Sequence, residues 1–287
     1  MTDSECQRHP LRLRAWFAYS PHMTSTLDAV IDDLAAEQAA LEAALERLPA
    51  AAWEKTTHAP GWSVRDQVAH LLQFDTLAAA AIRAPETFQE ALRQPGNREA
   101  AYLARARGLA PAALFEQWQT QASDLIRAAR TLDPAVRVPW AGPAMSGVSF
   151  ITARLMETWS HGLDVIDVTG VPRPDTDRLR HVAFLGVRAR PYSYTNRGTA
   201  LPDTPVHVSL TAPSGAIWEF GEPGAENRVT GSAGDFCRVV TRRRHIDDTN
   251  LNVQGTAAAE WMAIAQAFAG PPGDGRKPGQ FPRESTS

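Results

Sequence analysis

Apolar residues in the first half of the chain recur at helical spacing. Leu27, Ile31, Leu34, Leu41, Leu45 and Leu48 step by four, three and seven positions with Ala and Glu between them, which predicts a long amphipathic helix ended by Pro49. In "GWSVRDQVAHLLQFD", Ser63 has the character of an N-cap and Asp66 follows three residues later, so the pair resembles a capping box. Val64, Val68, Leu71 and Leu72 then form an apolar stripe that places His70 in the second turn of a second helix. Residues 84–108 are less regular and read as a short helix or two. Leu114, Trp118, Ala122, Leu125, Ala129 and Leu132 mark a third long helix stopped by Asp133-Pro134. After the Pro/Gly-rich loop "VRVPWAGPAMSG" comes a fourth helix, roughly 149–169, closed by Gly170 and Pro172. Four long helices joined by loops predict a four-helix bundle over 23–170.

Past residue 176 the texture changes. Residues 171–176 read as a linker, and 177–270 as a small α+β domain. A helix is expected to start near Asp177. "PVHVSLTA" and "AIWEFG" flank Pro213-Ser214-Gly215 as a hairpin, "NRVTG" and "LNVQG" suggest further strands, and Ser232 caps a helix with Asp235 at its third position. "TAAAEWMAIAQAFAG" is a last helix ended by Gly270. Residues 1–22, tinted basic by Arg8, Arg12 and Arg14, read as a disordered extension, with Met23 a possible alternative to Met1 as the start. Residues 271–287, rich in Gly, Pro and charge, read as a disordered tail.

Composition narrows the function classes. Hydrophobic residues are 44% and charged residues 21%, and the formal net charge is −3. Such a balance argues against nucleic acid as a partner, which needs clustered cations, and no apolar run is long enough for a bilayer span. The two cysteines, Cys6 and Cys237, provide no framework of bridges, so a reducing, cytoplasmic compartment is expected. Cys237 reads as a small buried residue rather than a nucleophile, and His58, His181, His207 and His245 lack a ligand-spaced partner.

The fourth helix carries an unusual polar stripe. In "RLMETWSHGLDVIDVTG", Glu157 and His161 are four apart and Asp164 is three further on, all on one face, with Arg154 one turn before. A solvated Glu–His pair of ordinary i,i+4 spacing would look the same, and His70 taken alone would suit a satisfied core histidine. A Glu-x-x-x-His helix facing a histidine on a neighbouring helix would instead give three ligands with one position open, the arrangement of a catalytic zinc. Nickel, cobalt or iron would suit the same donors.

Together "GWSVRDQVAHLLQFD" and "METWSHGLDVIDVTG" resemble the DinB-like metal-binding superfamily, and within it the branch of mycothiol-dependent maleylpyruvate isomerase-like proteins from actinobacteria. The resemblance covers residues 24–170. It implies that His70, Glu157 and His161 bind a divalent metal, usually zinc. Residues 177–270 resemble the C-terminal domain of those isomerases, which is related to sterol carrier proteins, with "ENRVTGSAGDFCRVVTRRRH" the best-matching stretch. There the resemblance implies a catalytic arginine among Arg238, Arg242, Arg243 and Arg244, with Arg243 taken as the candidate. The surrounding residues depart from the isomerase pattern, and metal binding carries over better than the maleylpyruvate reaction. Without the resemblance, "RRRH" at 242–245 reads as cations complementing a helix end. Asp164 and Asp66 are candidates to orient ligands from behind, Asp66 in competition with its capping role.

The expected protein is a metal-dependent isomerase or S-transferase using mycothiol or another small thiol on a small electrophilic, carboxylate-bearing substrate. The competing expectation is a non-catalytic binding protein with a structural metal and a ligand-carrying second domain.

Overall fold

A computed structural model describes residues 26–93, 98–140 and 142–283. The extension expected over 1–22 lies outside them, as do residues 284–287.

Helix α1 (Leu27–Leu45) starts at Thr26, whose hydroxyl accepts from the Ala29 amide. Helix α2 (Val64–Arg83) starts at the expected capping box: the Ser63 side chain takes the Asp66 amide, and the Asp66 carboxylate takes the Ser63 amide. Helices α3 (Pro85–Arg93) and α4 (Arg98–Ala106) fill the irregular stretch, and α5 (Pro111–Ala129) follows. Two short antiparallel strands, β1 (Arg137–Val138) and β2 (Met145–Ser146), precede α6 (Gly147–Thr169). Gly170 ends α6 in the left-handed conformation, φ 70°, which a Cβ would penalise. The four long helices pack on one another, α2 against α5 and α6, and α1 against α5 and α6. The stripes behave as their spacing requires: Ile31, Leu34, Leu41 and Leu45, and Leu114, Trp118, Leu125 and Ala129, are buried.

The second half comprises α7 (Leu179–Arg188), α8 (Arg190–Thr195), β3 (Val206–Thr211), β4 (Ile217–Phe220), β5 (Asn227–Ser232), α9 (Ala233–Val240), β6 (Asn252–Gln254) and α10 (Thr256–Ile264). Its mixed sheet runs β4–β3–β5–β6, with β3 and β5 parallel and the other pairs antiparallel. The β3–β4 hairpin and the Ser232 cap of α9 fall where the sequence places them.

Two expectations need correcting, and a third, the linker, takes a more definite form. Helix α10 stops at Ile264, not at Gly270. The Arg242 guanidinium takes the carbonyls of Ile264 and Ala265, and the Ala267 amide turns back to the Val240 carbonyl. Residues 171–176 have no regular structure, yet they are fastened down rather than free. Arg173 pairs with buried Glu37 at 3.2 Å and donates to the Trp159 carbonyl, while Asp175 pairs with Arg238 at 2.7 Å. Gly162 allows this: a Cβ there would stand 2.2 Å from the Arg173 guanidinium. One continuous core accordingly runs from Ile31 and Leu155 through Val182 to Phe236 and Trp261. Finally, the tail expected to be disordered from 271 is held against the body at Arg276, Gly279 and Phe281. Its Gly, Pro and charged residues find specific partners that its composition does not reveal. No helix among the described residues is long and apolar enough to cross a membrane.

Candidate metal centre

Two helices supply the centre. Helix α2 presents Gln67 and His70, one turn apart, and α6 presents Glu157 and His161, also one turn apart. Because α2 packs directly on α6, the side chains meet across the seam. One ligand atom each from His70, Glu157 and His161 lies within 4.8 Å of the others. The Glu157 Oε2 is 3.1 Å from His161 Nε2 and 3.8 Å from His70 Nε2. A tetrahedral ion with bonds of about 2.0–2.1 Å holds its donors roughly 3.3 Å apart, so this spacing suits one.

The environment is aromatic. The two imidazoles lie with ring centroids 4.2 Å apart. Trp62 stacks over His161 at 5.9 Å and 19°, and leans on His70 at 5.2 Å. Phe74, one turn beyond His70, closes the other side at 4.4 Å. Burial together with the neighbouring His70 pushes the His161 imidazole down to about 4. Burial would raise the Glu157 carboxyl, but its hydrogen bonds to His161 and His70 hold it well below the usual carboxylate range. A carboxylate therefore faces the His161 imidazole, which releases its proton readily.

A hydrogen-bond chain behind His161 fixes its tautomer. The Thr57 hydroxyl donates to the Trp62 carbonyl at 2.9 Å, because a carbonyl can only accept. The Thr57 oxygen then accepts from the Gln67 amide nitrogen at 2.9 Å, which leaves Gln67 Oε1 aimed at His161 Nδ1, 2.6 Å away. The neutral ring therefore carries its proton on Nδ1, which leaves the Nε2 lone pair toward the Glu157 carboxylate. That 3.1 Å contact is a hydrogen bond when the ring is protonated, and when the ring is neutral it leaves two lone pairs that one cation could share.

Neither aspartate expected behind the ligands takes that place. Asp66 is spent on Ser63 and on Arg107, which lies 2.8 Å away. Burial opposes its ionisation, but the Arg107 and Ser63 hydrogen bonds lower its pKa overall. Asp164 is 1% exposed and receives two arginines, Arg243 at 2.9 Å and Arg276 at 2.8 Å. Gln67 holds the orienting position instead. Its sequence signal was slight: an amide one residue before Val68, within the apolar stripe of α2.

The arginine cluster is committed in detail. Arg243 bonds Asp164 through Nε and Nη2 and the Thr241 carbonyl through Nη1. Arg244 makes a bidentate pair with Asp167, Arg238 binds Asp175, and Arg242 caps α10. Among these four, the charge of Arg243 acts on the His161 imidazole and helps to push it down. Cys237 is fully buried, and burial pushes its thiol well above the ordinary range, which suits packing rather than attack.

A family model described as the mycothiol maleylpyruvate isomerase N-terminal domain matches residues 34–166. Two proteins of Mycobacterium tuberculosis, "Uncharacterized protein Rv0036c" of strain H37Rv and "Uncharacterized protein MT0041" of strain CDC 1551, are each 42% identical over 250 residues. That covers 86% of this chain and 97% of each relative. Among solved structures, the mycothiol-dependent maleylpyruvate isomerase matches with a TM-score of 0.54 at 17% identity, over 77% of this chain and 90% of that one. A point mutant of the same isomerase matches with a TM-score of 0.55 at 17% identity, over 82% and 94%. At that identity the structural likeness is one of fold.

Proposed function

Since the chain belongs to the mycothiol-dependent maleylpyruvate isomerase-like branch of the DinB-like superfamily, we propose that it is a metal-dependent enzyme built on a DinB-like four-helix bundle with a sterol carrier-like second domain. His70, Glu157 and His161 hold one divalent cation, zinc by the nature of the donors. The reaction is an isomerisation or S-transfer on a small electrophilic substrate, with mycothiol or a similar thiol as cofactor. The observation that carries this reading is the convergence of two imidazole nitrogens and one carboxylate oxygen from two helices.

Three protein ligands leave a coordination position open, as a catalytic site requires. When bound, the cation supplies charge that lowers the pKa of a coordinated thiol or water. The chain's own residues do the rest. Gln67 holds His161 in the tautomer whose Nε2 can ligate, and Trp62 and Phe74 exclude water from the imidazoles. Arg243, anchored by Asp164, which lies one turn along α6 from His161, sets positive charge where it favours an anionic substrate group. A metal held only for structure would be expected to have a fourth protein ligand. Among the described residues the group comprises His70, Glu157 and His161 alone, which favours the enzyme over a ligand-carrying protein with a structural ion.

The reading is tested by supplying zinc-loaded protein with mycothiol and maleylpyruvate, then with other small electrophiles, and following loss of the electrophile. Turnover that vanishes in Glu157→Gln is expected, and no turnover with any pair contradicts it. Arg243→Ala should keep both fold and metal, because Arg276 still covers the Asp164 carboxylate, while KM for a carboxylate substrate rises. Gln67→Leu should weaken zinc binding about 10–100-fold, the usual cost of losing a partner behind a metal-bound imidazole. Gln67→Glu should bind zinc at least as tightly as the wild type, since a carboxylate also accepts from Nδ1. Competition with a chromophoric chelator measures both, and equal weakening in the two variants contradicts an orienting role.

A further inference from the structure

We infer that the C-terminal segment 276–281 is a working part of the centre, with Arg276 the positioning residue that locks the wall of the site onto α6. This rests on the metal reading only for what the wall encloses.

The segment ties three elements together. Arg276 enters a buried position, its side chain 10% exposed. One end of its guanidinium binds Asp164 on α6 at 2.8 Å, and the other donates to the His58 carbonyl. His58 belongs to the loop 55–62 that also carries Thr57 and Trp62, the residues that orient Gln67 and cover the imidazoles. Three residues on, the Gly279 amide donates to Asp248 at 2.6 Å and the Phe281 amide to the same carboxylate at 3.2 Å. The Phe281 ring packs on the Arg244 guanidinium, 3.7 Å from its centroid, and makes a T-shaped contact with the His58 ring at 4.6 Å between centroids. Arg244 is in turn gripped by Asp167 on α6. The tail thus joins loop 55–62 to α6 and to loop 242–248, which also holds α6 directly through Arg243 and Arg244.

The charges explain why Arg276 acts on position rather than on folding. Asp164 is buried, and a buried carboxylate left without a partner is costly. Arg243 supplies that partner by itself through two hydrogen bonds. Removing Arg276 leaves Asp164 paired but deprives the His58 carbonyl of this donor, so the loop bearing Trp62 loses its buried tie to α6 and keeps the exposed one from Lys55 Nζ to the Val168 carbonyl at 3.3 Å. The ligands stay on their helices while the wall loosens.

The test is made in the full-length protein, comparing wild type with Arg276→Ala, Arg276→Lys and Phe281→Ala. Hydrogen exchange should speed up by roughly tenfold or more in the peptide covering 55–62, and not in α5, as expected when a local tie rather than global stability is lost. Cobalt loaded in place of zinc should remain stoichiometric but pass to a chelator roughly tenfold faster, a readout that a purely structural contact far from the centre would not move. Arg276→Lys, which can hold Asp164 but cannot bridge to His58 with a forked group, should fall between wild type and Arg276→Ala. Unchanged exchange in 55–62 in both Arg276→Ala and Phe281→Ala overturns the inference. So does loss of folding in Arg276→Ala combined with wild-type exchange in Phe281→Ala. If the wild type takes up no cobalt, the metal reading fails while the exchange comparison still decides the role of the segment.

Discussion

His70→Ala and His161→Ala each leave the purified protein without stoichiometric metal. Each removes one of three ligands, and two remaining donors hold zinc poorly. The two variants differ in what they leave behind. His70→Ala keeps the Glu157–His161 pair and the Gln67–Thr57 chain behind it. His161→Ala strips Gln67 Oε1 of its buried partner as well, so it should also lower the melting temperature of metal-free protein. Elemental analysis and thermal unfolding of the two proteins check this. Retention of one ion per chain in both variants would mean that the three side chains form no site.

The largest effect on stability lies elsewhere in the same seam. Asp75→Ala should destabilise the protein by about 3–5 kcal/mol, because it strands Arg154 as a buried unpaired charge. Asp75 is fully buried and Arg154 is 3% exposed; their contact is 2.8 Å, and Trp118 Nε1 donates to the same carboxylate at 3.2 Å. Burial pushes the Asp75 carboxyl up, with Arg154 and Trp118 opposing that. The variant therefore breaks an α2–α6 tie and an α2–α5 tie together. For a chain of this size the loss corresponds to a fall in Tm of roughly 6–20 °C. A fall of about 2 °C or less, within the range of surface substitutions, would show that Arg154 finds another partner.

Helical elements were legible because their cause is local. The apolar stripes of α1, α2 and α5, the Ser63 and Ser232 caps and the Gly170 stop are all set by residues within a turn or two. That His70, Glu157 and His161 come together was legible from two motifs that resemble a known family, while Glu157-x-x-x-His161 alone looks the same as a solvated pair. What escaped depends on partners far apart in the chain. Gln67 becomes an orienting residue only when His161, 94 positions away, is placed beside it. Arg243 and Arg276 both claim Asp164, which removes that aspartate from the role its spacing suggested. The tail read as disordered because its composition is that of a solvated segment, but Arg276 and Phe281 dock on groups contributed by α6, loop 55–62 and loop 242–248. The end of α10 was misplaced for a related reason, since its stop is set by Arg242 reaching across from another element.

The central claim is that His70, Glu157 and His161 form a metal site. Elemental analysis of wild-type protein purified without a polyhistidine tag tests it most directly. The account expects roughly one divalent ion per chain, zinc foremost, from a single open three-ligand site. Wild-type protein that stays metal-free after zinc is supplied and excess ion removed would contradict it.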